Sequence, residues 1–185
     1  MENRMPNRYV FFVIGTCLLV SSPILIFIIP RMIPITFYFV KYTWVYFVPM
    51  KTFVVFGIGI ALLIICCALL FFGKMRRWAI GGSSILFLVA LFMFYGSSRC
   101  YLTMADDGFT YRGLFEYEKQ HAGWENVTQI ERIEVPVGKS GNATYLVSLD
   151  NGDVLSFKEI PHVQEKRSKM RVKYGKYNIP VIYTN

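Results

Sequence analysis

Histidine is almost missing from this chain and cysteine is sparse. His121 and His162 are the only histidines, and the four cysteines stand at positions 17, 66, 67 and 100. A protein metal site needs several Cys, His or carboxylate ligands at short spacings, and no such cluster occurs, so no metal ligand and no cofactor is expected. No CxxC pair occurs either, which removes a thiol-redox motif and a soluble disulfide framework. Cys17, Cys66 and Cys67 fall inside apolar runs. Cys100 sits at the edge of one and reads as a small interfacial residue, with lipid attachment as the alternative.

Charge is the second absence. Residues 10–29, 52–73 and 78–98 contain no charged side chain at all. Each run reaches the roughly 20 residues that cross a hydrocarbon core as a helix. None has the polar face a soluble surface helix would need. None holds Asp, Glu or His, which argues against proton-coupled transport and intramembrane hydrolysis, since both need buried ionisable groups; a passive pore stays open. Residues 10–29 read as a retained first span and not a cleaved leader, because Pro30-Arg31 follows where a small-residue cleavage site would stand.

The net charge of +8 lies in the apolar half. Residues 1–99 carry nine basic residues and Glu2, whereas residues 100–185 carry eleven residues of each sign. The excess is therefore charge flanking membrane spans, and nucleic acid is not an expected partner.

Residues 30–51 are rich in Phe, Tyr and Trp, with Lys41 central and Pro30, Pro34 and Pro49 bracketing them. Such aromatics favour the headgroup level. An interfacial segment gives three spans; a fourth span with Lys41 inside the bundle is the alternative. The choice sets the side of the C-terminal part. With three spans, Arg4, Arg8, Lys74, Arg76 and Arg77 oppose Arg31, Lys41, Lys51 and Arg99, and the C-terminal part faces outward by the positive-inside rule. With four it returns to the cytoplasm. Gly57 with Ala61, and the patch Gly81-Gly82-Ser83-Ser84, allow close approach of helices. That approach serves this chain's own packing or a partner membrane protein.

From residue 100 the pattern changes. Phe109–Arg112 alternates with period two and reads as a strand. Residues 114–120 read as its partner, 130–137 as a third strand, and 143–149 and 154–158 as two more. The last two are joined by Asp150-Asn151-Gly152-Asp153, a strong hairpin signal. A basic helix is expected over about 161–174, with Pro161 at its first position, Gly175 as a left-handed cap, and Val163, Met170, Tyr174 and Tyr177 as its apolar stripe. Residues 179–183 then run extended. Gly138-Lys139-Ser140-Gly141 lacks the upstream glycine of a phosphate loop and reads as a hairpin loop.

Asp107, Gly108, Phe109, Tyr111, Arg112, Trp124, Val127 and Ile130 carry a resemblance to bacterial membrane-anchored pleckstrin-homology-like (PH-like) domain proteins over about residues 100–175. The resemblance implies a β-rich PH-like domain with a helix near its end, of a kind that mostly binds or scaffolds. Five or six strands are legible where that fold has seven, and residues 179–183 continue past the closing helix. The expected organisation is a transmembrane helical region over 1–99 and a PH-like domain over 100–185.

Two site readings follow. Trp124 is either a core residue or an exposed anchor for a partner. Residues 162–176 carry six basic residues against Glu165, while residues 100–161 carry five basic and ten acidic. Lys166, Arg167, Lys169, Arg171 and Lys173 are therefore either solvated and paired on an acidic sheet or a contact for anionic lipid headgroups. The Asp pairs at 106–107 and 150/153 sit in turns, where Asp bonds locally. Without a nucleophile–base pair or metal set, no enzyme and no small-molecule substrate is expected. The expected function is non-enzymatic: binding or scaffolding a partner, membrane lipid or another membrane protein, at the cell membrane. An immunity-type protein neutralising a membrane-acting toxin is the leading alternative, and an anionic-lipid binding module a third.

Overall fold

A computed structural model describes residues 8–37, 43–135 and 141–184. Three helices dominate the apolar part: α1 (Arg8–Phe37), α2 (Met50–Phe72) and α3 (Arg77–Arg99). All three are long and apolar enough to cross a membrane. Between α1 and α2 lies strand β1 (Thr43–Phe47).

That arrangement corrects the expectation for residues 30–51. The segment is not one continuous element, and among the described residues no fourth long apolar helix occurs. Its first part continues α1, with Pro23, Pro30 and Pro34 all inside the helix. Pro30 and Pro34 are fully buried and share one face, where neighbouring helices and local adjustments can re-satisfy the carbonyls that proline frees. Its later part, Thr-Trp-Val-Tyr-Phe, is built of aromatic and β-branched residues that suit a strand. Lys41 lies outside the described residues, as do Arg4, Pro136, Val137 and the loop residues Gly138, Lys139 and Ser140.

The helices form one unit. A tight turn joins α2 to α3, with Lys74 and Met75 both left-handed (φ 49° and 54°). Cys66 Sγ donates to the Ser83 carbonyl at 3.4 Å, and Ser83 Oγ donates to the Cys66 carbonyl at 3.3 Å. This reciprocal pair satisfies polar groups between two apolar helices. Of the small-residue patch, Ser83 is buried at the contact, whereas Gly81 and Gly82 have nothing within 4 Å of a would-be Cβ. Gly59 marks a close approach of α2 to α3: a Cβ there would lie 2.7 Å from the Phe94 ring, which itself packs on Phe56 at 4.9 Å. Gly59→Leu is expected to destabilise the helical unit by about 1–3 kcal/mol through overpacking, and Gly81→Leu to leave it unchanged. Thermal aggregation of the detergent-solubilised variants reads the difference.

Residues 113–117 also belong to this unit. Phe115 stacks on Phe92 at 4.9 Å and 12°, and Arg99 lies 5.6 Å over the Tyr117 ring. The strand expected over 114–120 is corrected accordingly. Phe115 has φ +63°, a value incompatible with a strand, and Glu116 accepts the Gly113 N–H at 2.8 Å, closing a turn.

The second unit contains β1 together with β2 (Tyr101–Ala105), β3 (Gly108–Arg112), β4 (Gln120–Gly123), a single 3-10 turn (Trp124–Asn126), β5 (Val127–Ile133), β6 (Thr144–Leu149), β7 (Val154–Lys158), α4 (Pro161–Lys176) and β8 (Val181–Thr184). Two four-stranded sheets form, in the orders β1-β2-β3-β4 and β7-β6-β5-β8. All pairings are antiparallel except β5 with β8. Among the described residues seven strands precede α4, against the five read there from the sequence, since β1 and β2 were not legible as strands. The two units still divide at Cys100, but Thr43–Phe47 groups with the β unit and Gly113–Tyr117 with the helices.

Phe109, Trp124, Met104, Ile130 and Val147 are buried at the centre of the β unit. From β1, Val45 is 5% exposed, Phe47 packs on Phe157 at 4.7 Å, and Trp44 lies 6.0 Å from Trp124. Gly108 (φ +146°) allows β3 to lie against the Ala122 carbonyl, where any Cβ would collide. On the other sheet, the hairpin expected over 150–153 is present, with Gly152 at φ +86°. Pro161 begins α4 as expected, but Gly175 does not cap it. The helix runs through Gly175 to Lys176, and Asn178 takes the left-handed conformation (φ 52°) instead.

Candidate functional site

Trp124 follows β4 directly, on a turn that points its ring inward. It is fully buried, its Nε1–H donates to the Ala105 carbonyl at 3.1 Å, and its ring meets Phe109 at 4.8 Å. The alternative of an exposed anchor is thereby corrected: no face of the indole is available to a partner.

α4 buries Val163 and Met170 on the core, which turns its charged positions outward and sideways. They divide into two sets. Arg167 Nε lies 2.5 Å from Glu159 Oε1, and Lys173 Nζ donates to the Asp106 carbonyl at 2.7 Å with the Asp106 carboxylate at 3.6 Å. These two are paired. Lys166, Lys169, Arg171 and Lys176 have no carboxylate partner among the described residues. Lys169 Nζ lies 5.4 Å over the Trp44 ring, and Lys176 Nζ 5.2 Å over Tyr177, cation–π placements that leave the charge available to solvent. The five basic residues singled out in the sequence are thus not equivalent.

Glu159, at the end of β7, was not legible as a site residue. It is 3% exposed and holds two guanidinium groups. Arg132 Nη2 donates to Glu159 Oε2 at 2.8 Å, and Arg167 bonds the other oxygen. Arg132 also bonds Glu134. A buried carboxylate is tolerable only when paired in this way. Burial opposes the Arg132 charge, but the hydrogen bond and charge of Glu159 outweigh it and raise its pKa. A hydrogen bond with Tyr145 leads the causes that raise that of Arg167, against desolvation. Both side chains are therefore firmly cationic.

Beside this cluster is a cavity of about 180 Å³, lined by Arg132, Tyr145, Arg167, Arg171, Tyr174 and Tyr183, with Met170 and Val181. It is enclosed by α4 and the strands β5, β6 and β8. The Tyr174 hydroxyl is buried and has no hydrogen-bond partner among the described residues. Burial pushes its phenol far above the ordinary range, so it is a neutral donor. The lining offers many N–H and O–H donors and cationic charge, which is chemistry for recognising an anion. No single segment announces the site: Arg132 lies on β5, Glu159 just after β7 and Arg171 on α4.

No protein-family model matches this chain, and no curated protein matches it in sequence.

Proposed function

We propose that this is a multi-pass membrane protein acting as a non-enzymatic binding module, in which the helices anchor a PH-like β unit whose basic helix α4 engages an anionic partner at the bilayer surface. The observation that carries the reading is that Lys166, Lys169 and Lys176 on α4 have no carboxylate partner among the described residues. Support for the PH-like reading comes from seven strands in two sheets followed by a helix, with β8 as an addition. In that scheme α2 and α3 are an insertion into the hairpin formed by β1 and β2. Two crossings separate those strands in the chain, an even number, so both lie in the same aqueous compartment when α2 and α3 span. The positive-inside rule then puts the Lys74–Arg77 turn in the cytoplasm and the β unit outside it.

Each Lys or Arg near an anionic surface contributes about 1 kcal/mol. The full chain held in phosphatidylcholine nanodiscs is expected to capture phosphatidylglycerol vesicles, to ignore phosphatidylcholine vesicles, and to release its cargo as salt screens the charges. Reversing Lys166, Lys169 and Lys176 to Glu is expected to weaken capture about 100-fold. Equal capture by variant and wild type, or equal capture of both vesicles, would contradict the reading.

A further inference from the structure

We propose that the cavity between α4 and the β5–β6–β8 face binds a phosphoryl group, carried either by a lipid headgroup or by a small soluble phosphate ester. This goes beyond the surface reading of α4 and uses different residues: the cations proposed to meet the bilayer are Lys166, Lys169 and Lys176, none of which lines the cavity.

Three observations converge. First, charge: three guanidinium groups (Arg132, Arg167 and Arg171) meet the cavity, and the carboxylates paired with them are Glu159 and Glu134. One positive charge stays uncompensated. Second, donors: Arg171 has no carboxylate partner among the described residues, and Arg167 spends its Nε on Glu159, so guanidinium N–H groups exceed the acceptors available to them. The Tyr174 hydroxyl adds a buried donor with no acceptor among the described residues. A buried donor left unmade is costly, and a bound anion removes that cost. Third, shape: the donors come from α4 on one side and β5 on the other. A tetrahedral phosphoryl group accepts from several directions, whereas a carboxylate presents one planar edge. Arginine is the side chain best matched to phosphate oxygens.

Size narrows the ligand. A cavity of about 180 Å³ is below the usual range for drug-sized ligands, about 300–1,000 Å³. A phosphoryl group with a glycerol-sized appendage fits; a nucleotide does not. Met170 and Val181 supply the apolar part of the wall, against which such an appendage would lie.

The test uses the full chain in maltoside micelles, which carry no phosphate. Glycerol 3-phosphate and, separately, phosphatidic acid added to the micelles are titrated calorimetrically, with acetate as the carboxylate control. Binding of phosphatidic acid alone assigns the lipid source; binding of glycerol 3-phosphate assigns the soluble one; either supports the proposal. Tyr174→Phe, which removes only the hydroxyl, and Arg171→Gln, at an exposed helix position, are each expected to weaken binding at least about tenfold with the melting temperature unchanged. Should Tyr174→Phe shift the melting temperature, Arg171→Gln alone decides. Absence of binding by both phosphate probes, acetate binding equal to phosphate, or unchanged affinity in the deciding variants overturns the proposal. Vesicle capture through Lys166, Lys169 and Lys176 is measured separately, so either idea can fail while the other stands.

Discussion

Residues 101–184 produced alone are expected not to fold, while the same residues preceded by 43–48 and an Asn-Gly turn are expected to fold cooperatively in water. The register explains both outcomes. β1 pairs antiparallel with β2 so that Phe47 lies opposite Leu102 and Tyr46 opposite Thr103. Val48 and Tyr101 are thus the next opposed positions, and Asn-Gly, the favoured two-residue hairpin connection, can replace residues 49–100. Without β1, the core loses Val45, the Phe47–Phe157 contact and the Trp44–Trp124 contact, and β2 becomes a bare edge. Burying a large apolar side chain contributes about 1.5–3 kcal/mol. The combined loss is on the order of 5 kcal/mol, comparable with the whole stability of a small domain, about 5–15 kcal/mol. Phe115→Ser in both fragments removes the ring that stacks on Phe92 in the whole chain and that α3 no longer covers. Circular dichroism with a denaturant titration separates the outcomes: a sigmoidal transition for the joined fragment, and none for 101–184.

Trp124→Ala is expected to lower the stability of the β unit by about 3–5 kcal/mol, and its melting temperature by more than about 10 °C. The indole is fully buried, touches Phe109, Trp44 and Tyr174 rings at 4.8, 6.0 and 6.1 Å, and donates to Ala105. Trp124→Phe keeps much of the packing and is expected to cost less, mainly through the unmet Ala105 carbonyl. The size of the effect also decides between the two roles considered for this residue. A surface anchor would tolerate Ala with little change in melting, since substitutions away from buried features usually stay within about 0.5 kcal/mol. Near-UV dichroism during heating of the nanodisc-held protein gives both numbers.

Where the sequence was informative, the signal was local. The three charge-free runs became the three long helices, the Asp-Asn-Gly-Asp hairpin formed as its turn chemistry requires, and Pro161 began α4. The failures share a different cause, which is that the deciding partner is remote in the chain. Thr43–Phe47 could not be told from an interfacial stretch because aromatic residues favour strands and headgroups alike, and its pairing strand begins more than 50 residues later. Pro30 and Pro34 bracketed the aromatic stretch in the sequence, yet both are buried inside a helix that continues through them. Residues 114–120 alternated like a strand, yet the left-handed Phe115 and its stacking on Phe92 take precedence.

The basic helix was visible, but not the division within it. Arg167 and Lys173 are committed to Glu159 and Asp106, whereas Lys166, Lys169, Arg171 and Lys176 have no carboxylate partner among the described residues. Composition counts charges without showing which are spent. The cavity was invisible for the same reason, since Arg132, Arg171 and Tyr174 meet only through β5 lying beside α4.

The strand between the first two helices is the point on which the rest depends, and cysteine pairing tests it most directly. With the four native cysteines changed to alanine, Tyr46→Cys and Thr103→Cys are introduced together in the full chain and oxidised in native membranes. Rapid, intramolecular disulfide formation is predicted, with no bridge when Tyr46→Cys is combined instead with Thr128→Cys, on the other sheet. Absence of the 46–103 bridge, together with labelling of position 46 by a lipid-phase probe, would return residues 43–47 to the bilayer and contradict the account.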